Sequence, residues 1–306
     1  MKRIFSVLAF VSTLFIANGS FAEALEGKLS SADILEASKS TDWQALDANN
    51  TLYIELEHGR VVVALSDNLA KAHIEQIRTL AREGFYDGLS FYRVIDGFVA
   101  QGGDVFEKRD IGSANKEMAA EFDETYDKKM PVTFLPDEDG YAERVGFLGS
   151  LPVGISKKEK RIWHLHCAGA FAFGRNIEKN TASTEFYITI QPQRYLDRNL
   201  TVFGRVVQGM EHIQALRRVS PPEEEGDDIG MVIKSIRLAG DVEEAEQSKL
   251  EILRDDTETF AAYAEARRNR PEGFFYHRPD HLDICALAIP VREIPALDEK
   301  DQAETE

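Results

Sequence analysis

Arg93, Phe98 and Gln101 lie within one stretch, Phe91-Tyr92-Arg93-Val94-Ile95-Asp96-Gly97-Phe98-Val99-Ala100-Gln101-Gly102-Gly103-Asp104, and combine a fixed positive charge, an apolar ring and a neutral amide. Side chains alternate between the two faces of a strand, so Arg93 is expected to point one way and its neighbours Tyr92 and Val94 the other. Asp96-Gly97 has the composition of a tight turn, after which Phe98 and Gln101 can return to the cleft that Arg93 enters. Such a trio could grip an apolar ligand and donate a hydrogen bond to it. Patterning alone also allows a hairpin that carries Arg93 as an ordinary surface charge.

Other reactive arrangements are sparse. His164 and His166 flank Leu165 just before Cys167. Two imidazoles at i and i+2 on a strand share a face and could hold zinc. The rest of a tetrahedral set is missing nearby, however, and a buried strand end with locally hydrogen-bonded histidines fits the pattern better. No glycine loop runs into Lys-Ser or Lys-Thr, and Gly102-Gly103 is followed by Asp104, whose charge would repel a phosphate. No Gly-x-Ser-x-Gly elbow is present. Carboxylates are too abundant, 53 Asp+Glu against 36 Lys+Arg, to single out a glycosidase pair. The net charge of −17 also argues against a nucleic-acid partner, and the only dense basic cluster, Lys157, Lys158, Lys160 and Arg161, reads as a solvated loop.

The elements that must position these residues follow from periodicity. Leu52, Ile54 and Leu56 alternate with polar neighbours, His58-Gly59 marks a turn, and Val61, Val62, Val63 and Leu65 follow, which predicts a hairpin. Leu69, Ile74, Ile77 and Leu80 recur at helical spacing over 68–83, before Gly84. Short strands are expected over 91–95, 98–101, 170–173, 186–190, 202–206 and 231–236, with a helix near 210–216. Many short strands with few helices predict a mostly β protein, a closed barrel capped by helices rather than a doubly wound parallel sheet.

The flanks differ from this core. Residues 1–22 carry Lys2 and Arg3, an apolar run from Ile4 to Ile16, and the small residues Ser20 and Ala22, the pattern of a signal peptide cut after Ala22. The apolar run is short for a membrane span, which predicts a soluble periplasmic protein without membrane insertion after cleavage, an uncleaved anchor being the alternative. Residues 23–50 are polar and read as a short helix and linker. Residues 241–306 open with a charged helical stretch, pass Pro271, Pro279, Pro290 and Pro295, and end in an acidic tail over 298–306. Within them Phe260, Tyr263 and Ala264 share one helical face, expected to pack on the barrel. Cys167 and Cys285 are the only cysteines; an exported chain with an even number predicts a disulfide between them, with two buried thiols as the alternative.

From Phe91 to Asp104 the chain resembles the cyclophilin family of peptidyl-prolyl cis-trans isomerases, whose run Phe-x-Arg-Val-Ile-x-Gly-Phe-x-x-Gln-Gly-Gly-Asp is met at each named position. Similar runs follow in the family's order: Ala172-Phe173-Gly174-Arg175, Ser183-Thr184-Glu185-Phe186-Tyr187-Ile188, Tyr195-Leu196-Asp197, Val202-Phe203-Gly204-Arg205-Val206 and Gly209-Met210. The resemblance covers about residues 51–240 and is strongest to the bacterial exported branch. It implies a cyclophilin-like eight-stranded closed β-barrel with two capping helices and a C-terminal helical and irregular extension. The connection over about 105–168 is longer than the family's and contains Pro136-Asp137-Glu138-Asp139-Gly140, which reads as an inserted loop or small hairpin near the groove.

The function implied by this resemblance is rotation about X–Pro bonds in proline-containing polypeptide clients, assisting the folding of exported proteins without metal or cofactor. Carried over by position, the catalytic residues fall on Arg93, Gln101 and Phe98. The substrate-binding positions fall on Val99, Gly174, Glu185, Tyr187, Tyr195, Leu196 and Leu200. Where many members have methionine, phenylalanine, tryptophan and histidine, this chain has Val99, Tyr187, Tyr195 and Leu200, and Glu185 replaces a glutamine. These departures imply a reshaped pocket and weak cyclosporin binding. The alternative is a module that binds proline segments without turnover; Arg93 separates the two, since a pure binder needs no donor aimed at the prolyl nitrogen.

Overall fold

The structure is a computed structural model that describes residues 27–66 and 68–294; the expected signal peptide and acidic tail lie outside the described residues. In chain order the strands begin with β1 (Trp43–Ala45), β2 (Thr51–Leu56), β3 (Gly59–Leu65), β4 (Ser90–Val94) and β5 (Val99–Gly103). Next come β6 (Glu124–Thr125), β7 (Thr133–Phe134), β8 (Arg144–Leu148), β9 (Leu151–Ser156) and β10 (Arg161–His164). The remainder are β11 (Ala170–Phe173), β12 (Phe186–Thr189), β13 (Val202–Gln208), β14 (Met231–Val232), β15 (Ser235–Leu238), β16 (Leu250–Leu253) and β17 (Val291–Glu293). Four α-helices accompany them: α1 (Ser31–Glu36), α2 (Lys71–Arg82), α3 (Met210–Gln214) and α4 (Glu258–Asn269).

The central sheet is antiparallel in the order β14-β4-β5-β12-β11-β13-β3-β2-β15. Its two ends are halves of one segment. β14 pairs with β4, the Ile233 amide continues that ladder to the Leu89 carbonyl (2.7 Å), the Lys234 amide crosses to the Glu55 carbonyl (2.8 Å), and β15 pairs with β2. The strand expected over 231–236 is therefore split, and by reaching both neighbours it closes an eight-stranded barrel with no free edge. Inside lie Leu52, Ile54, Val61, Val63, Phe91, Phe171, Phe173, Phe186 and Phe203. Helix α2 covers one end with Ile74, Ile77 and Leu80, and α3 contributes Ile213, so the apolar stripe of α2 is the face buried. Helix α2 starts later than its periodicity suggests because acceptors from the insertion take its first amides: the Glu124 carboxylate receives the Ala70 N–H, and Glu121 those of Ala72 and His73.

The insertion is more than a loop or small hairpin. It forms a five-stranded antiparallel sheet, β6-β10-β9-β8-β7, with its own apolar residues Val145, Phe147, Val153, Ile155, Ile162 and Trp163. Gly149 and Ser150, both at positive φ, turn β8 into β9. Lys157, Lys158 and Lys160 are exposed in the β9–β10 turn, while Arg161 binds Asp123, so the basic cluster disperses.

The flanking segments also differ from expectation. The linker contributes β1 and the tail β16 and β17, which pair as a three-stranded sheet. Residues 241–248 form short 3₁₀ turns instead of a charged helix, having no apolar stripe to bury. Helix α4 does bury Phe260, Tyr263 and Ala264, yet these pack with Phe147, Trp163, Leu135 and Trp43 rather than among the barrel's interior residues. The insertion sheet supplies the large rings: Phe147 and Phe260 meet edge to face with centroids 5.3 Å apart.

Candidate functional site

The β4–β5 hairpin is built around a turn at Asp96-Gly97, with Gly97 at φ +65°, closed by the Ile95 amide on the Val99 carbonyl (2.9 Å) and the Phe98 amide on Ile95 (3.1 Å). Arg93 faces Gln101 and Ser90 faces Gly103, so two residues of β4 stand against one of β5. This bulge corrects the simple alternation expected for the strand. Phe91 and Val94 point into the barrel, while consecutive Tyr92 and Arg93 both reach Gln101.

The resulting chain of hydrogen bonds is directional. Arg93 Nη1 donates to Gln101 Oε1 (3.1 Å), and Gln101 Nε2 donates to the Tyr92 hydroxyl (2.6 Å). The Arg93 guanidinium also lies 5.4 Å from the centroid of the Phe98 ring, within cation–π range. Beside it, β5, β12, β11 and β13 present Val99, Tyr187, Ala172, Ala170 and Val202 as one apolar cluster on the outside of the barrel, with Phe98 and Leu200 packed against it. The register sets Tyr187 between Gln101 and Ala172. Gly174 adjoins Gln101, since a Cβ there would stand 3.5 Å from Nε2.

Three expected contacts are placed differently. Tyr195 and Leu196 share the 3₁₀ turn Arg194–Leu196 outside that apolar cluster, and Tyr195 is 59% exposed. Glu185 is not presented to a ligand: both its carboxylate oxygens are buried, in space left by Gly103, where a Cβ would come within 2.3 Å of Oε1. Burial, together with the negative charges of Asp104 and Glu107, pushes the Glu185 carboxyl up to about 7.

The histidine pair is not a zinc site. His164 Nε2 bonds Ser66 Oγ (2.7 Å), and burial lowers that imidazole to about 4. His166 lies between Asp197 Oδ1 (3.0 Å from Nδ1) and the Tyr187 hydroxyl (2.9 Å from Nε2). Among the described residues no group of three His, Cys, Asp or Glu side chains is arranged to hold a metal.

From His166 a buried polar chain leads away from the groove. Asp197 Oδ2 accepts from Arg194 Nε (2.6 Å), and Arg194 Nη1 and Nη2 grip Asp139 of the insertion (2.7 and 3.0 Å). Cys167, next to His166, is joined to Cys285 in a disulfide that ties the tail to this region. Tyr92, His166, Asp197, Arg194 and Asp139 were not singled out from the sequence for the site. Apart from Arg194 and Asp197, three positions apart, their partners are 9 to 55 positions away, and no local pattern encodes such pairings.

The geometry thus consists of a cyclophilin-type barrel with an arginine, a glutamine and an apolar pocket on its outer wall. Residues 51–238 match the family model described as cyclophilin type peptidyl-prolyl cis-trans isomerase/CLD, and the chain belongs to that family. It is 33% identical over 184 residues to a probable peptidyl-prolyl cis-trans isomerase of Brucella suis, covering 58% of this chain and 77% of that one. It is 28% identical over 191 residues to peptidyl-prolyl cis-trans isomerase B of Bacillus subtilis, covering 62% and 99%. The crystal structure of cyclophilin AquaCyp293 from Hirschia baltica superposes with a TM-score of 0.67 at 26% identity, covering 82% of this chain and 92% of that one. This share exceeds residues 51–238, so the likeness runs into the flanking segments. The chain is a cyclophilin-type peptidyl-prolyl cis-trans isomerase.

Proposed function

We propose that this isomerase acts at the groove centred on Arg93, turning X–Pro bonds in proline-containing segments of exported proteins. The observation that carries the reading is the Arg93 guanidinium, held by Gln101 beside the Phe98 ring at the edge of the apolar cluster. Resonance in the amide sets a barrier of roughly 18–20 kcal/mol to rotation. When the bond twists, the prolyl nitrogen pyramidalises and exposes a lone pair that neither planar isomer offers. A guanidinium donor placed there stabilises the twisted state selectively. Phe98, Val99, Tyr187 and Leu200 would hold the pyrrolidine ring, and Gln101 the adjoining backbone, so that one side of the peptide rotates against a fixed proline. No nucleophile is needed.

The export reading rests on the residues over 1–22 and on the disulfide, a bond that persists in oxidising compartments. Among the described residues no helix is long and apolar enough to cross a membrane. Arg93→Ala is the test of the groove: kcat/KM for cis/trans exchange in a proline tetrapeptide is expected to fall on the order of 10²–10³-fold, as when one preorganised donor is deleted, with circular dichroism unchanged. Lysine should not rescue it, because a point charge lacks the planar fork. A folded Arg93→Ala protein that isomerises at the wild-type rate would remove Arg93 from the mechanism.

A further inference from the structure

A second cavity, of about 430 Å³, opens where the barrel wall meets the insertion and the three-stranded sheet, and it shares no residue with the groove around Arg93. Its wall draws on β1, β3, β13, β16 and the β8–β9 turn. Phe203 and Val206 of β13 fill the barrel interior, which leaves Arg205 to the outer side. The cross-strand neighbours of Arg205 are alanines, Ala64 and Ala170, so the sheet offers its guanidinium no counter-charge. Arg205 Nε is buried without a hydrogen-bond partner, and Arg205 makes no ion pair among the described residues. Asp255, in the turn that leads into α4, lines the same cavity; it is 8% exposed, and its Oδ2 is likewise buried and unpartnered. The other charged groups of the wall are taken. Arg254 pairs with Asp256 (2.8 Å), and Asp47 accepts from the Asn49 amide and from Asn50 Nδ2 (both 2.9 Å).

We propose that this cavity is a binding site for a small zwitterion, an amino acid or short peptide, whose carboxylate is held by Arg205 and whose ammonium is held by Asp255. A charge withdrawn from water without a partner is costly, and the wall carries two of opposite sign that do not meet as an ion pair. A ligand of one sign answers only half of this: an anion satisfies Arg205 and is repelled by Asp255, and a cation does the reverse. A molecule that carries both signs, set apart by its own length, satisfies both at once. The planar guanidinium fork suits a carboxylate, and the Asp255 carboxylate accepts from an ammonium, so each end of the ligand has a distinct receptor. The volume falls within the range of small-molecule sites, which suits an amino acid or a short peptide.

The site is independent of the Arg93 groove, and its test needs no turnover. Glycine, γ-aminobutyrate, ε-aminocaproate and triglycine carry the same two end charges at different separations. Titrated into the full chain by calorimetry, one of them is expected to bind best and to raise the Tm of the protein on saturation. Removing one end charge from that ligand, by N-acetylation or by amidation of its carboxylate, should weaken binding about ten- to a hundredfold, the worth of one charge-assisted hydrogen bond. Arg205→Met and Asp255→Asn should do the same, and the losses should pair: the N-acetylated ligand should be indifferent to Asp255→Asn, and the amidated one to Arg205→Met. Both variants should fold, since each removes a buried charge that has no partner. Should either fail to fold, the blocked ligands test the same two contacts on the unaltered protein. Failure of all four zwitterions to bind, blocked forms that bind as well as the parent, or binding that survives both substitutions overturns the proposal.

Discussion

Asp139→Ala separates what the insertion does for stability from what it does for the groove. The Asp139 carboxylate accepts two bonds from Arg194 and one each from the amides of Tyr141 and Ala142 (both 2.8 Å), and the Asp139 and Arg194 side chains are each 8% exposed. Burial by itself would raise the Asp139 pKa, but these donors outweigh it and hold the carboxyl below its ordinary value. Removing one partner of a buried pair costs about 3–5 kcal/mol when the other charge is left bare. Arg194 keeps Asp197, so about 2–3 kcal/mol is expected here, or a fall in Tm of roughly 5–10 °C for a chain of this size. The released Arg194 pulls less firmly on Asp197, which steadies His166 against the Tyr187 hydroxyl. KM for a proline peptide should therefore rise about three- to tenfold, with kcat changed less.

Asp137→Ala is the internal control for this variant. Asp137 belongs to the same loop but faces the tail, where it accepts from Arg268 Nε and Nη2 (3.0 and 2.6 Å) and from the Leu282 amide (2.8 Å). Its loss should cost similar stability and leave KM alone. Thermal denaturation by circular dichroism and exchange kinetics in a proline tetrapeptide read both quantities. If the two variants lose Tm equally and neither moves KM, the polar chain only holds the fold together, and the positioning argument fails.

Cys285→Ser opens a 118-residue loop; the chain-entropy model gives about 4–5 kcal/mol as an upper limit for the loss, measured by urea denaturation with and without reductant, and equal stability of both forms would show that the bond constrains little. Glu185 has a folded pKa of about 7 against an ordinary 4.5, so its contribution is greatest below about pH 4.5 and is lost as pH rises through 7. Glu185→Gln should accordingly raise stability by about 2–4 kcal/mol at pH 8 and change it little at pH 4.5; a loss of Tm at pH 8 would contradict this. Export predicts a mature protein beginning near Glu23, which an intact mass from the exported fraction would check and a mass retaining residues 1–22 would refute.

The barrel strands were legible because period-two runs such as Leu52-Tyr53-Ile54 and the Phe91–Asp104 stretch carry their pattern locally, and a barrel's inside and outside faces impose that period. Arg93, Gln101 and Phe98 were legible for the same reason, lying within nine residues on one hairpin. The two cysteines, alone in the chain, left a single possible pairing once oxidising conditions were assumed. The extra residue in β4 was not legible: a bulge shifts register without altering composition, and it brings Tyr92 to Gln101 against the alternation. The insertion's sheet escaped notice because its strands are short and broken by Gly146, Pro152 and Gly154, and are stabilised by Trp163 and by Phe260 from a helix a hundred residues on. Glu185 shows the division most sharply. As a sequence letter it is one of 53 carboxylates, and only the fold, by burying it against Gly103 near the charges of Asp104 and Glu107, pushes its carboxyl up to about 7. Local pattern determines which residues make a strand or a turn; desolvation and distant pairing exist only after the chain has closed on itself.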